Sequence, residues 1–160
     1  IGEQIRHLRE RRIPFQIIPG VTATAACAAL LEAELTLPGV SQTVILTRYA
    51  DQSPMPAGEE LASLAQHGAT MAIHLGVKHL PAIVQELLPH YGADCPVAVI
   101  HRASWPDQDW VTGTLADIQD KVAAKGFRRT ALIMVGRVLA TDNFADSALY
   151  RAGHGHLYRP

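Results

Sequence analysis

Apolar and polar positions along the chain follow two different periods, and their alternation predicts the fold class. Short, mostly apolar runs bounded by turn residues predict strands; these lie at 15–18, 42–47, 69–75, 96–101 and 130–135. Apolar residues spaced three and four apart predict helices; these lie at 1–12, 58–67, 78–88 and 115–125. The turn at 105–108 and a strand at 109–113 predict a hairpin. The pattern predicts an α/β domain: a mixed sheet of about five strands with helices on both faces.

The segment 19–33 stands out because small apolar residues fill nearly every position after a turn. Pro19 and Gly20 favour a sharp turn, and Thr22 is placed as the N-cap of the helix that follows. This helix has no polar face, so the pattern predicts that it is buried. Its alanines allow another backbone or a flat ligand to approach closely. The same pattern also fits an ordinary Ala-rich core helix.

The amino-acid composition limits the kinds of molecule that this chain is expected to bind and the cellular compartment in which we expect it. A chain of 160 residues that is 48% hydrophobic suits one domain with a substantial core. The formal net charge is −1 and no basic stripe is present, so nucleic acid is an unsuitable partner. No apolar run has the length of a membrane span. Cys27 and Cys95 stand in apolar surroundings without metal-ligand spacing, which predicts reduced core thiols in a cytoplasmic protein.

Three predicted strands end in small or flexible residues, where open α/β sheets commonly bind ligands. The ends are Leu75–Gly76, Arg102–Ser104 and Gly136–Arg137. Ordinary loops are the alternative interpretation of each.

Histidines give no complete metal site. His154 and His156 form the only close pair, and the others are scattered. We expect no native metal, a hydrogen-bonded strand role for His74, and a packing role for Trp105 and Trp110.

The segment PGVTATAACAALL at 19–31 resembles the stretch that opens the second domain of the tetrapyrrole methylases. The stretches ELTLP at 34–38 and SQTVILTR at 41–48, followed by Met55–Pro56, are similar to one branch of that family. The resemblance extends to about residue 140. It implies S-adenosylmethionine (SAM) as methyl donor and C-11 of precorrin-4, or of cobalt-precorrin-4, as acceptor, in cobalamin biosynthesis. Any cobalt would arrive inside the substrate.

The resemblance also implies a domain organisation. The chain begins within an apparent helix, so we expect a single C-terminal domain of a longer protein. Residues 1–18 would form a lead-in helix and strand, 19–140 the SAM-facing core, and 141–160 a tail. The expected partners are the tetrapyrrole, an N-terminal domain of the same protein and a second copy in a homodimer. Apolar residues near the C-terminus would serve this pairing; they are Phe144, Leu149, Tyr150, Leu157 and Tyr158.

In that family the second domain meets SAM at positions that correspond here to Thr22, Ala23, Leu75 and Ala103; Thr130 and Ala131 are further candidates. Relatives often carry Met and Gly where Leu75 and Ala103 stand, and both changes keep the lining apolar and small. The carboxylate arms of a tetrapyrrole suit Arg side chains, which follow strands at Arg48, Arg102 and Arg137. The resemblance supplies no catalytic base, and methyl transfer from SAM does not require one.

Two alternatives stay open. One is methylation of uroporphyrinogen III by the same family chemistry. The other is a non-catalytic module that binds SAM or pairs subunits. For the isolated chain we expect weak SAM binding at best and no turnover.

Overall fold

The computed structural model describes residues 1–141 and 144. The α-helices in this part of the chain are α1 (Gly2–Glu10), α2 (Ala23–Leu30), α3 (Leu61–Ala65), α4 (Leu80–Tyr91) and α5 (Ile118–Lys125). The strands are β1 (Val44–Arg48), β2 (Thr70–His74), β3 (Pro96–His101), β4 (Asp109–Thr114) and β5 (Ala131–Val135). Short 3₁₀ turns cover Val77–His79 and Arg137–Ala140.

The five strands form one mixed sheet in the order β1-β2-β5-β3-β4. β1 and β2 are parallel, whereas β5 lies antiparallel to both β2 and β3. β3 and β4 pair antiparallel as the predicted hairpin, with Pro96 opposite Thr114. The carboxyl ends of β1, β2 and β3 therefore lie at one edge of the sheet, beside the beginning of β5. The predicted fold class is confirmed.

The two faces of the sheet belong to two separate cores, because successive residues of a strand point to opposite faces. Met71 and Ile73 of β2 belong to the larger core, which α3, α4 and α5 cover. Ala72 lies on the other face, in a smaller core with Cys27 of α2. The predicted placement of helices on both faces is thus confirmed.

Local signals fix several helix ends as predicted. The Thr22 side chain accepts a hydrogen bond from the Ala25 backbone N–H at 3.2 Å, which is an N-cap. Pro81 stands in the first turn of α4, where a missing N–H costs nothing. Gly126 ends α5 with φ of +70°, a conformation that favours glycine. The predicted helix at 58–67 is shorter in the structure, since α3 covers only Leu61–Ala65.

Two predictions for the first thirty residues are wrong. Residues 15–18 form no strand, and Phe15, Ile17 and Ile18 are exposed. The small-residue helix is not enclosed, because Thr24 and Cys27 are its only buried residues. An apolar segment favours burial against another element, but its sequence does not show which element packs on it.

The thiols of Cys27 and Cys95 are both buried and unpaired with each other, as predicted. Burial raises the pKa of each thiol to about 11. Among residues 1–141 and 144, no helix is both long and apolar enough to cross a bilayer. The His154–His156 pair and the apolar residues Leu149, Tyr150, Leu157 and Tyr158 lie outside the described residues, and Phe144 is exposed.

Candidate ligand-binding site

A cavity of about 870 Å³ opens at the sheet edge where β1, β2 and β3 end and β5 begins. Its lining includes Leu75 after β2, Ala103 after β3, and Thr130 and Ala131 at the start of β5. The crevice beyond the carboxyl ends of strands is where open α/β sheets bind ligands. Its volume falls in the range of small-molecule sites. The sheet topology thus brings together residues that lie far apart in the sequence.

One wall of the cavity is built from small side chains. Ala23 and Cys27 come from α2, and Ala103 and Ala131 come from the strand ends. Cys27 shows only 1% of its surface to solvent, so the wall is closed behind it. Thr22 does not line the cavity: its hydroxyl caps α2, one residue before Ala23. Small residues on this wall leave room for a flat ligand.

Three residues at the cavity have a left-handed backbone that side chains other than glycine rarely adopt. Leu75, Arg102 and Thr130 have φ of +57°, +50° and +53°. The Arg102 backbone N–H donates to the Thr130 carbonyl oxygen at 2.9 Å, which links two of these strained positions. Each costs about 1–3 kcal/mol and persists only where the surroundings enforce it. Such residues cluster at functional sites, and here they surround one cavity.

His74, the last residue of β2, connects the sheet to α2. Its Nε2 lies 3.2 Å from the Thr24 hydroxyl oxygen, and Thr24 is buried. The expected role of His74 as a hydrogen-bonded strand residue is confirmed. The contact also positions the first turn of α2 against the end of β2, so Ala23 and Leu75 face the same space.

The loop after β1 forms the outer rim. Arg48 donates to the carbonyl oxygens of Ser53 at 3.1 Å and Pro54 at 3.2 Å. Asp51 pairs with Lys78, and its carboxylate lies 3.6 Å from Nε2 of His79. The hydrogen bond from Lys78 holds the pKa of Asp51 below its ordinary value, so this tether is ionised at neutral pH. Loop and sheet edge are thereby fastened together.

Of the three predicted substrate arginines, two line the cavity and one does not. Arg48 and Arg102 line it. Arg102 also pairs with Asp107, and its guanidinium lies 5.1 Å from the Trp105 ring centroid. Its Nε is buried and has no hydrogen-bond partner among the described residues.

The prediction that places Arg137 at this edge is wrong. β5 runs antiparallel to β2 and β3, so its end lies at the opposite edge of the sheet. There the guanidinium of Arg137 forms a two-pronged pair with Asp94, with distances of 2.7 and 3.0 Å. The sequence pattern shows that a strand is buried, but it does not show the direction in which the strand runs.

Sequence reasoning missed several lining residues, most notably Arg128 and Arg129. They precede β5, where the sequence analysis named Thr130 and Ala131, whereas its search for substrate arginines considered only residues that follow strands. A pair of adjacent arginines beside the Thr130–Ala131 candidates was the available signal. Tyr49, Asp51 and Lys78 were missed because a polar loop gives no indication of what it covers. In the part of the chain that the structure describes, no cluster of side chains suits a metal ion.

The structure thus defines an α/β domain with an apolar crevice beyond the strand ends, small residues on one wall of the crevice and cations at its rim. Comparison with known proteins makes the class specific. Residues 1–119 match the family described as Tetrapyrrole (Corrin/Porphyrin) Methylases. The chain belongs to the tetrapyrrole methylase family, as the sequence predicted, and this family uses SAM.

Individual relatives agree with this assignment. The chain is 75% identical over 160 residues to the precorrin-4 C(11)-methyltransferase of Pseudomonas aeruginosa, covering 100% of this chain and 64% of the relative. It therefore spans less than two thirds of that protein. The X-ray structure of a cobalt precorrin-4 methyltransferase superposes with a TM-score of 0.83 and 38% identity, over 88% of this chain and 59% of the other.

A more distant solved structure was determined with a product-like ligand. The uroporphyrin-III C-methyltransferase of Thermus thermophilus, complexed with S-adenyl homocysteine, superposes with a TM-score of 0.65. Its identity to this chain is 26%, and the match covers 86% of this chain and 59% of that chain.

Proposed function

We propose that this chain forms the SAM-facing part of a methyltransferase acting on C-11 of precorrin-4 or cobalt-precorrin-4, in cobalamin biosynthesis. One observation carries the proposal: Ala23, Leu75 and Ala103 line a single cavity in a chain that is 75% identical to a precorrin-4 C(11)-methyltransferase. Uroporphyrinogen-III methylation has less support, because the solved uroporphyrin-III C-methyltransferase structure compared above is only 26% identical to this chain.

The residues at the cavity fit SAM. Ala23, Ala103 and Ala131 leave space for a flat adenine ring, and Leu75 is exposed beside them. Thr22 contributes by capping α2, and the free backbone N–H groups of its first turn are donors for the ligand. Thr130 adds backbone groups at the start of β5.

SAM, when bound, supplies a methyl group on a positive sulfonium, and its transfer to a ring carbon leaves the sulfur with the electron pair of the broken S–C bond. The residues of this chain then have to hold that methyl in line with the carbon at contact distance. Alignment of this kind is worth as much as about 7–11 kcal/mol of a barrier. The apolar alanine wall also disfavours the localised charge of the sulfonium relative to the charge-dispersed transition state. No general base is assigned.

Arg102 and Arg48 are proposed to act at the tetrapyrrole side of the cavity. Arg102 presents its guanidinium between Asp107 and Trp105, and Arg48 holds the rim loop through Ser53 and Pro54. Both side chains thus shape the opening through which a macrocycle with carboxylate arms would enter. Arg137 is not part of this proposal, since it lies at the opposite sheet edge.

Further parts complete the proposed assembly. An N-terminal domain would cover the other side of the cavity, and a second copy would form a homodimer. The exposed apolar residues Ile17, Ile18 and Val21 support such partners, since an isolated surface gains nothing from them. Buried reduced thiols agree with the cytoplasm as the compartment. Cobalt enters this scheme only inside the substrate.

A chimera tests the proposal in a complete enzyme. In the Pseudomonas aeruginosa relative, the matching 64% is replaced by this chain. The chimeric enzyme is incubated with SAM carrying a ¹³C-methyl group and, in separate reactions, with precorrin-4 and with uroporphyrinogen III. We expect the labelled methyl at C-11, detected by carbon NMR of the product. Circular dichroism of the chimera confirms that it is folded.

Each other result separates an alternative. Label on uroporphyrinogen III, with none on precorrin-4, would assign the chain to the other branch. A folded chimera that binds S-adenyl homocysteine without transferring label would leave only the binding-module interpretation.

A further inference from the structure

Five cationic side chains line the cavity. They differ in whether they already form ion pairs or hydrogen bonds within the chain. They are Arg48, Lys78, Arg102, Arg128 and Arg129, with Asp51 as the lining carboxylate. We infer that Arg128 and Arg129 bind carboxylate arms of the tetrapyrrole and help to select it. The inference rests on the proposed function and assigns a role to two residues that the sequence did not single out.

The other three cations are engaged within the chain. Arg48 donates to backbone carbonyl oxygens of the rim loop, and Lys78 pairs with Asp51. Arg102 pairs with Asp107 and stacks on Trp105. A carboxylate from a ligand would have to displace these contacts to reach the guanidinium or ammonium groups, which reduces the net gain from binding.

Arg128 and Arg129 have no such engagement. Both are exposed, and within residues 1–141 and 144 neither side chain forms an ion pair or a hydrogen bond. Their guanidinium groups retain their donors for a ligand. A guanidinium fork matches a carboxylate in geometry and charge, and such charge-assisted pairs are about twice as strong as neutral hydrogen bonds.

The backbone that carries the pair is fixed on both sides. Phe127 is buried, and its ring stacks on His101 with 5.0 Å between ring centroids. On the other side, the Thr130 carbonyl oxygen accepts the Arg102 backbone N–H. The arginines therefore project from an anchored segment beside the cavity, so less ordering is required when they bind.

The number of carboxylates decides which ligand they suit. The amino-acid end of SAM carries one carboxylate with its own ammonium group, whereas a tetrapyrrole with acetate and propionate arms carries several carboxylates without internal cations. Two adjacent arginines at the rim match the second pattern. The cavity lining also has five cationic side chains and one carboxylate, Asp51, and this positive excess favours a ligand with several carboxylates.

The chain offers a matched control, because it contains a second adjacent arginine pair. Arg11 and Arg12 are exposed after α1 and do not line the cavity. The variants are R128Q/R129Q and R11Q/R12Q, each removing two positive charges. The probes are uroporphyrin III, a stable tetrapyrrole polycarboxylate followed by fluorescence anisotropy, and S-adenyl homocysteine followed by calorimetry.

We expect R128Q/R129Q to bind uroporphyrin III at least about tenfold more weakly than the unaltered chain. Its salt dependence should also be shallower, because two screened attractions are gone. Affinity for S-adenyl homocysteine should stay unchanged. R11Q/R12Q should match the unaltered chain with both probes, and thermal unfolding by circular dichroism shows that each variant is folded.

Several outcomes would overturn the inference. The first is unchanged affinity of R128Q/R129Q for uroporphyrin III, and the second is an equal loss of that affinity in R11Q/R12Q. The third is a loss of affinity for S-adenyl homocysteine alone in R128Q/R129Q, which would assign the arginines to the cofactor carboxylate. If the unaltered chain binds S-adenyl homocysteine but not uroporphyrin III, the inference fails while the proposed function stands. If it binds neither, the same variants are compared in the Pseudomonas aeruginosa chimera: unchanged porphyrin affinity in R128Q/R129Q overturns the inference there, and absence of methyl transfer to C-11 overturns the proposed function.

Discussion

Leu75 combines two properties that are unfavourable for a leucine: its side chain is 76% exposed, and its backbone has φ of +57°. An exposed side chain adds little to the core, so packing does not explain why a leucine occupies this strained backbone position. Strain of this kind persists where the surroundings enforce it, and it is commonest at functional sites. The geometry agrees with a position that faces a ligand.

Replacement of Leu75 by glycine should therefore stabilise the chain. Glycine adopts positive φ without the clash that a Cβ causes, so L75G should raise the free energy of unfolding by about 1 kcal/mol. Leu46 is the control, because it is also exposed, at 61%, but lies inside β1. There glycine should lower the free energy by about 0.5–1 kcal/mol. Urea unfolding measures both, and the same sign for both variants would contradict the strain at Leu75.

Gly76 follows Leu75 and has a different requirement, which is space. A Cβ at this position would lie 2.6 Å from Cδ1 of Ile83 and 3.3 Å from Cγ2 of Ile73. G76A should therefore destabilise the chain by about 1–3 kcal/mol, as overpacked cores do.

Gly20 gives the comparison for this substitution, since a Cβ there meets nothing within 4 Å. G20A should change the free energy of unfolding by less than about 0.5 kcal/mol. Equal effects of the two substitutions in urea unfolding would show that the contact at Gly76 is not restrictive.

Single residues of the candidate site were predictable to different degrees. Ala23, Leu75 and Ala103 were identified through the resemblance of their segments to a family, and the fold brings them to one cavity. Arg128 and Arg129 were not identified: their position next to the Thr130–Ala131 candidates was a local signal, but sequence alone does not distinguish a cavity arginine from a solvated one. That distinction depends on the neighbours that the fold supplies.

At the scale of elements, strand direction decided what could be predicted. Hydrophobic runs located β2, β3 and β5, since buried strands need continuous apolar residues. The direction of β5 follows from its connection and its pairing with β2 and β3, which a single run does not encode. Arg137 was misplaced for this reason alone.

Arg137 should consequently act on its own sheet edge and not on ligand binding. Its hydrogen bonds hold the pKa of Asp94 below the ordinary 3.8. A carboxyl whose pKa is lowered by folding stabilises the folded state above its unfolded pKa, and this contribution is lost as pH falls through the folded pKa. R137Q should raise the pKa of Asp94 towards 3.8, so that the Asp94 contribution to acid sensitivity shrinks.

Carbon-detected NMR titration of the carboxyl groups measures this shift. Asp117 is the internal control, because Lys121 lowers its pKa independently of Arg137. Affinity for S-adenyl homocysteine should be unchanged in R137Q. An unmoved Asp94 pKa, or loss of ligand affinity, would contradict the placement of Arg137.

For the whole molecule, the sequence predicted the class of the fold better than the cover of its surfaces. The mixed sheet, the hairpin and the helices on both faces follow from hydrophobic period and turn residues. The predicted strand at 15–18 and the predicted enclosure of α2 are not found. Both would require neighbouring elements to cover these segments, and the segments remain largely exposed. Whether a segment is buried depends on the elements that pack around it, whereas hydropathy depends only on its own residues.

The cavity itself depends on the whole chain, since α2, three strand ends and the start of β5 contribute to it. NMR of the chain with ¹³C-labelled alanine and leucine methyl groups, titrated with S-adenyl homocysteine, tests whether this crevice holds the methyl donor. We predict saturable shifts for the methyl groups of Ala23, Leu75, Ala103 and Ala131. The methyl groups of Ala123 and Ala124, exposed on α5, should not move. Shifts absent at the cavity, or confined to residues away from it, would contradict the assignment of this crevice to SAM.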